Sequence, residues 1–255
     1  MCRPRSGHRD ANYIRYMELD ADLFNCYYCS GNYDEDLFSG ASGFAMRGFQ
    51  KLMEWPFRKS HRFPLTVEVG SGAGGHLQHV RHHYDQYIMT DIRDYRPDKT
   101  PRTDRPFLFA NAEHLPFANN SVDRIVSTCL LHHETNPLAA LSQWRNVVRP
   151  GGAITIFLPC DPGLLWRLGR QVGPRRKALK HGVDYDFLMA LSHRNHVGSI
   201  IAILSTVFKN DTVRRTGFPI PILGSWNLNL AFVYQITKNS IGGHPVSESP
   251  RRIQS

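Results

Sequence analysis

The chain has no apolar run long enough to cross a bilayer, since the longest, Ile200 to Phe208, falls far short of the roughly twenty residues a spanning helix needs. Met1 to Ala11 is polar and basic with no apolar stretch, so no secretory leader is expected and a cytoplasmic location is. The five cysteines (Cys2, Cys26, Cys29, Cys129 and Cys160) form no paired framework, which excludes a disulfide scaffold. Cys26-x-x-Cys29 lacks the second ligand pair that a structural zinc needs, and no metal is expected. No repeat recurs along the chain, which excludes solenoids and propellers. Acidic residues are outnumbered, 22 against 31 basic, for a formal net charge of +9, and Pro162 to Val183 has none at all.

What is there begins with Val67-Glu68-Val69-Gly70-Ser71-Gly72-Ala73-Gly74-Gly75-His76, a β-branched strand running into a glycine-rich turn. Leu65 to Val69 reads as a buried parallel strand, and the turn is expected to open a helix from about His76 to Tyr84. Glycines at such a junction let the backbone approach a ligand without a Cβ in the way, and a helix start offers unpaired N–H groups. Gly70-x-Gly72-x-x-Gly75 fits a dinucleotide loop, while Glu68-x-Gly70-x-Gly72-x-Gly74 fits a loop for S-adenosylmethionine. The acid decides between them. A carboxylate two residues before the first glycine would repel a pyrophosphate, whereas S-adenosylmethionine has no phosphate and carries an ammonium and a sulfonium.

Further segments follow in the order this reading requires. Tyr87 to Asp91 is a second strand ending in a carboxylate about twenty residues past the loop, where it can accept ribose hydroxyls. Pro106 to Ala110 reads as a third strand, followed by Asn111-Ala112-Glu113-His114-Leu115-Pro116-Phe117 and a fourth strand, Arg124 to Thr128. Trp144 to Gly152 ends a helix and launches a strand from Ala153 to Leu158. Phe208 to Thr216 and Asn227 to Thr237 read as an antiparallel pair.

From Leu65 to Pro159 the chain resembles the class I S-adenosylmethionine-dependent methyltransferases, in particular the UbiE-like, type 11 group with its alanine-glutamate-x-leucine-proline-phenylalanine segment. The resemblance implies an α/β fold, a Rossmann-like seven-stranded sheet, mostly parallel with a C-terminal antiparallel hairpin and helices on both faces. It implies that Gly70, Ser71, Gly72 and Gly74 cradle the methionine part of the donor, that Glu68 orders the loop, and that Asp91 binds the ribose. Asn111, Ala112 and Glu113 would meet the adenine, and Cys129 would lie beside the donor. The group more often has aspartate where Asn111 stands, but asparagine still accepts from an adenine amino group. The product would be S-adenosylhomocysteine.

The domain is expected over residues 61–238, preceded by a lead over 1–60 and followed by a mobile tail over 239–255. The lead carries Phe24, Tyr27, Tyr28 and Tyr33, which either cross the site as a lid, with Tyr28 and Tyr33 against substrate, or cover the sheet. An insertion at about 160–206 reads as two or three helices on the edge where α/β sheets bind ligands, and substrate choice is expected there. Arg167, Arg170, Arg175, Arg176, Lys177 and Lys180 within it suggest an anionic acceptor, or else a solvated face. Arg175, Arg176, His193 and His196 are the candidate acceptor contacts, the two histidines expected on one helical face.

Methyl transfer to nitrogen needs an unprotonated amine, whereas a hydroxyl benefits from a general base, for which His133 and His132 are nearest. The acceptor is expected to be a small or lipid-linked molecule. The basic charge also admits an RNA methyltransferase or RNA-binding protein, although no asparagine-proline-proline-tyrosine signature is present. A methyltransferase-like subunit without catalysis is the third reading.

Overall fold

The computed structural model describes residues 40–96, 106–180 and 182–240. Helix α1 (Gly40–Glu54) precedes β1 (Leu65–Val69), β2 (Gln86–Asp91), β3 (Phe107–Phe109) and β4 (Val122–Thr128). Helix α2 (Pro137–Val147) leads into β5 (Val148–Pro159). Four helices follow: α3 (Leu164–Val172), α4 (Pro174–Lys180), α5 (Tyr185–Ser192) and α6 (Val197–Val207). The chain returns through β6 (Thr212–Phe218) and β7 (Ala231–Thr237).

The strands form one seven-stranded sheet in the order β3-β2-β1-β4-β5-β7-β6. The first five run parallel, and β7 lies antiparallel between β5 and β6, as expected. Val67, Val69, Ile125, Ile154 and Ile156 point to one face, where α2 and α6 bury Leu141, Trp144, Ile200 and Leu204 against them. The period-2 alternation of strands puts Val126, Phe157 and Val233 on the other face, under Met46, Phe49 and Met53 of α1. Helix α1 is therefore a layer of the fold that covers the sheet.

The strand order reverses between β1 and β4, so the loops after those strands open onto one crevice, where open α/β sheets bind ligands. The insertion has four helices instead of two or three. Helix α6 joins the main core, while Ala178, Tyr185, Leu188 and Met189 of α4 and α5 make a small core of their own.

The helix expected from His76 to Tyr84 is absent. One 3-10 turn, Leu77–His79, stands there, and the chain is extended by Val80. Only Leu77, Val80 and Tyr84 are apolar in that stretch. Buried histidines anchor the two ends to different partners, His76 to α1 and His82 among Phe57, Phe63 and Tyr84, so a helix there would have no apolar stripe to dock.

Candidate active site

The glycine turn is drawn across the end of β2. Thr90 O accepts from Gly70 N at 2.9 Å and from Ser71 N at 3.0 Å, and Asp91 Oδ2 accepts from Gly72 N at 2.9 Å. Gly70 has φ +70°, and a Cβ there would lie 2.8 Å from the Leu130 side chain, so the loop after β1 meets the loop after β4 at a distance only glycine allows. Ser71 Oγ is buried without a hydrogen-bond partner among the described residues.

Glu68 is fully buried. Its Oε2 accepts from Tyr87 Oη at 2.8 Å, and its Oε1 has no partner among the described residues. Burial pushes the carboxyl up to about 8, the Tyr87 bond offsetting only part of that. Burial also raises Asp91, against the opposing pull of the Gly72 N–H.

Behind the loop lies a charged cluster. Arg124 of β4 and Glu54 of α1 are both fully buried, with Arg124 Nη2 2.5 Å from Glu54 Oε1 and Nη1 3.1 Å from Oε2. The guanidinium stacks 3.9 Å from the centre of the Phe57 ring. His76, directly after Gly75, lies between Gln50 and Glu54, its Nε2 2.9 Å from Glu54 Oε1. Burial alone would raise the Glu54 carboxyl, but His76 and Arg124 outweigh it and hold it at about 2. The cluster ties α1, the glycine turn and β4 together.

The 111–117 segment closes the crevice on the β3 side. Asn111 Oδ1 accepts from Glu113 N at 2.8 Å, which occupies one of its two lone pairs. Ala112 is buried, and its carbonyl accepts from Trp144 Nε1 at 3.0 Å. Glu113 Oε1 accepts from Asn136 N at 3.1 Å. Glu134 stands in the same field: burial, and then Glu113 and Asp91, push it up to about 7. Glu134 thus feels two other carboxylates at this end of the crevice.

Past β4, Cys129 has φ +54°, and burial pushes its thiol up to about 12. The turn that follows carries His132 and His133, and the fold brings His193 to them from the end of α5, with ring centres 4.1 to 4.9 Å apart. His133 Nδ1 lies 2.8 Å from Ser192 O, and His193 Nδ1 lies 2.5 Å from Asp161 Oδ2. Asp161, two residues past β5, also accepts from Arg170 at 3.0 Å. Asn195 fixes the arrangement by donating its side-chain amide to Leu131 O and Glu134 O, and its backbone N–H to His132 O. Burial drives His132 well below the ordinary imidazole range, and burial with His193 brings His133 down to about 3.

His196 does not share a helical face with His193. It caps α6, accepting from Ser199 N at 3.2 Å, while His193 ends α5, because the break between these short helices falls at residues 193–196. Arg175 is tied to Asp186 at 2.6 Å, and Arg176 is exposed. Tyr28 and Tyr33 lie outside the described residues.

Residues 67–156 match the family described as methyltransferase domain. Over that stretch, about a third of the chain, it is similar to a methyltransferase domain. Over 58 residues it is 50% identical to the ubiquinone/menaquinone biosynthesis C-methyltransferase UbiE of Coxiella burnetii, 23% of each chain. Over 93 residues it is 33% identical to the mitochondrial arginine-hydroxylase NDUFAF5 of Mus musculus, 35% of this chain and 27% of that one. The matched stretches thus span about a quarter of those relatives. In fold, the chain resembles a SAM-dependent methyltransferase from Thermotoga maritima (TM-score 0.54, 16% identity, 85% of this chain and 100% of that one). It also resembles a Haloferax volcanii chain solved with the Trm112 methyltransferase activator (TM-score 0.55, 14% identity, 88% and 99%).

Sequence reasoning missed Glu54, Arg124, Asp161 and Glu134. Arg124 carried a signal, a lone cation inside an apolar strand with a buried partner to find. Asp161 had one too, as the only carboxylate between β5 and the basic stretch.

Proposed function

We propose that the protein moves a methyl group from S-adenosylmethionine to an oxygen or nitrogen of a small, anionic acceptor held between the histidine cluster and helices α3 to α5. The observation that carries this reading is the meeting of two loops at the switch point: the glycine turn, locked to Asp91 through Gly72, and the Cys129–His133 turn, pressed on it through Leu130.

The crevice fits the donor. Ser71 Oγ and Glu68 Oε1 are buried polar atoms without partners among the described residues, and such atoms call for a ligand. The carboxylates Asp91, Glu113 and Glu134 suit a cationic ligand with two ribose hydroxyls. Bound S-adenosylmethionine supplies an electrophilic methyl group on a sulfonium. The residues then have to position an in-line nucleophile and exclude water, which carries most of such a rate. Burial holds His132 and His133 below the ordinary imidazole range, which weakens them as proton acceptors, so they serve better as walls and hydrogen-bonding partners than as bases.

The acceptor's other features are read from the insertion. Helix α3 buries no residue, and Leu164, Leu168 and Val172, 57%, 54% and 65% exposed, lie four residues apart on one face beside Arg167. An acceptor with an anionic group and an apolar portion, such as a lipid-linked intermediate, matches this pairing.

The test is calorimetric titration with S-adenosylmethionine, S-adenosylhomocysteine and NAD, then labelled-methyl transfer to panels of anionic metabolites and lipid-linked sugars. Micromolar binding of the first two without NAD, and label in an amphiphilic anion, is the expected result. Binding of NAD instead would refute the donor, and label only in RNA would refute the acceptor class.

A further inference from the structure

His132, His133 and His193 each direct a ring nitrogen into one small space, the three atoms lying within 4.8 Å of one another. The sequence hides this cluster, because His193 is about sixty residues from the other two and is delivered by the fold. The surroundings fit a metal site in three ways. His193 Nδ1 is held by Asp161 and His133 Nδ1 by Ser192 O, the carboxylate and carbonyl props that orient metal-binding imidazoles. His132 is 3% exposed, and its Nδ1 is buried with no partner among the described residues. Of the nearby cations, Arg170 is paired to Asp161 at 3.0 Å and so is electrostatically offset, and Arg194 donates to Thr135 at 3.3 Å.

We propose that His132, His133 and His193 form a divalent-metal site of the zinc class at the acceptor end of the crevice. Three imidazoles leave a fourth position of a tetrahedral ion open, and in this fold the turn after β4 and the insertion enclose it on the acceptor side. The ligand class for that position is an oxygen or nitrogen donor of the acceptor, or water. The site does not depend on methyl transfer, so its test reads metal and not turnover.

The untagged full-length chain, stripped with chelator, is titrated with Zn2+ by calorimetry and with Co2+ by visible absorption. One ion per chain is expected, with the visible bands of four-coordinate Co2+ bound to nitrogen. His193→Ala is expected to lose the bands, and Asp161→Asn to weaken Zn2+ by about 10–100-fold, with circular dichroism unchanged in both. His132 is buried, so His132→Ala is not relied on. The same titration in Cys26→Ser/Cys29→Ser separates the other candidate thiol ligands. Binding that survives His193→Ala and vanishes in the cysteine variant overturns the proposal, as does the absence of stoichiometric binding to the parent. Donor binding measured alongside keeps failure of the metal site distinct from failure of the methyltransferase reading.

Discussion

Glu54→Gln isolates one charge in the interior. Gln keeps the shape of the side chain and a hydrogen bond to His76, but leaves the Arg124 guanidinium fully buried without a counter-charge. Removing one partner of a buried pair costs about 3–5 kcal/mol, because the survivor stays desolvated. The pH dependence gives a second estimate. Glu54 sits at about 2 in the folded chain against an ordinary 4.5. At 1.36 kcal/mol per pH unit that gap is worth roughly 3 kcal/mol. The folded value is depressed, so this stability is present above pH 4.5 and is lost as pH falls toward 2. Urea unfolding at pH 7 is expected to show Glu54→Gln about 3–5 kcal/mol below the parent. Near pH 3 the deficit should shrink. Glu54→Gln/Arg124→Met should recover at least about 2 kcal/mol over the single variant, since Met retains apolar contact with Phe57 and removes the stranded charge. Because His76 follows the glycine turn, donor affinity should fall with the single variant. A Gln variant within about 1 kcal/mol of the parent at pH 7, or a double variant no better than the single, would refute the account.

Three further outcomes are expected. Glu68, raised to about 8 from 4.5, retains its proton on folding, so stability should decline as pH rises from 4.5 to 8 and level off above. Glu68→Gln should flatten that decline in urea midpoints taken between pH 5 and 9, and an unchanged slope would show the carboxyl to be ordinary. Asp91→Ala removes a charged acceptor from Gly72 N and should weaken S-adenosylmethionine by about 10–100-fold by calorimetry with the fold kept. Equal affinity would place the ribose elsewhere. Neutralising Arg175, Arg176 and Lys177 should raise KM for the acceptor and leave donor affinity alone, with Arg176→Gln carrying much of the effect because Arg175 is already held by Asp186. Unaltered KM would mark a solvated face.

What the sequence made legible is what local pattern determines. Leu65 to Val69 and Ala153 to Leu158 are stretches of strand length rich in β-branched and apolar residues beside glycine, a trace that buried parallel strands commonly leave. The alternation through Leu228, Leu230, Phe232 and Tyr234 marks a strand in the same way, although ladder pairing begins only at Ala231. The helix at His76 failed because its local signals were never strong. Whether such a stretch coils depends on what its histidines touch, and His76 touches Glu54, which lies 22 residues earlier. The candidate site divides along the same line. Gly70, Gly72 and Asp91 act through backbone geometry at strand ends, which spacing encodes. Arg124, Asp161 and His193 act through partners 70, 32 and about sixty residues away, and no periodicity records such pairs. On the proposed reading, donor handling is therefore written in the order of the chain, whereas acceptor chemistry is assembled by the packing of the insertion. The histidine candidates after β4, His132 and His133, gain a chemical meaning only when Asn195 and Asp161 set His193 beside them.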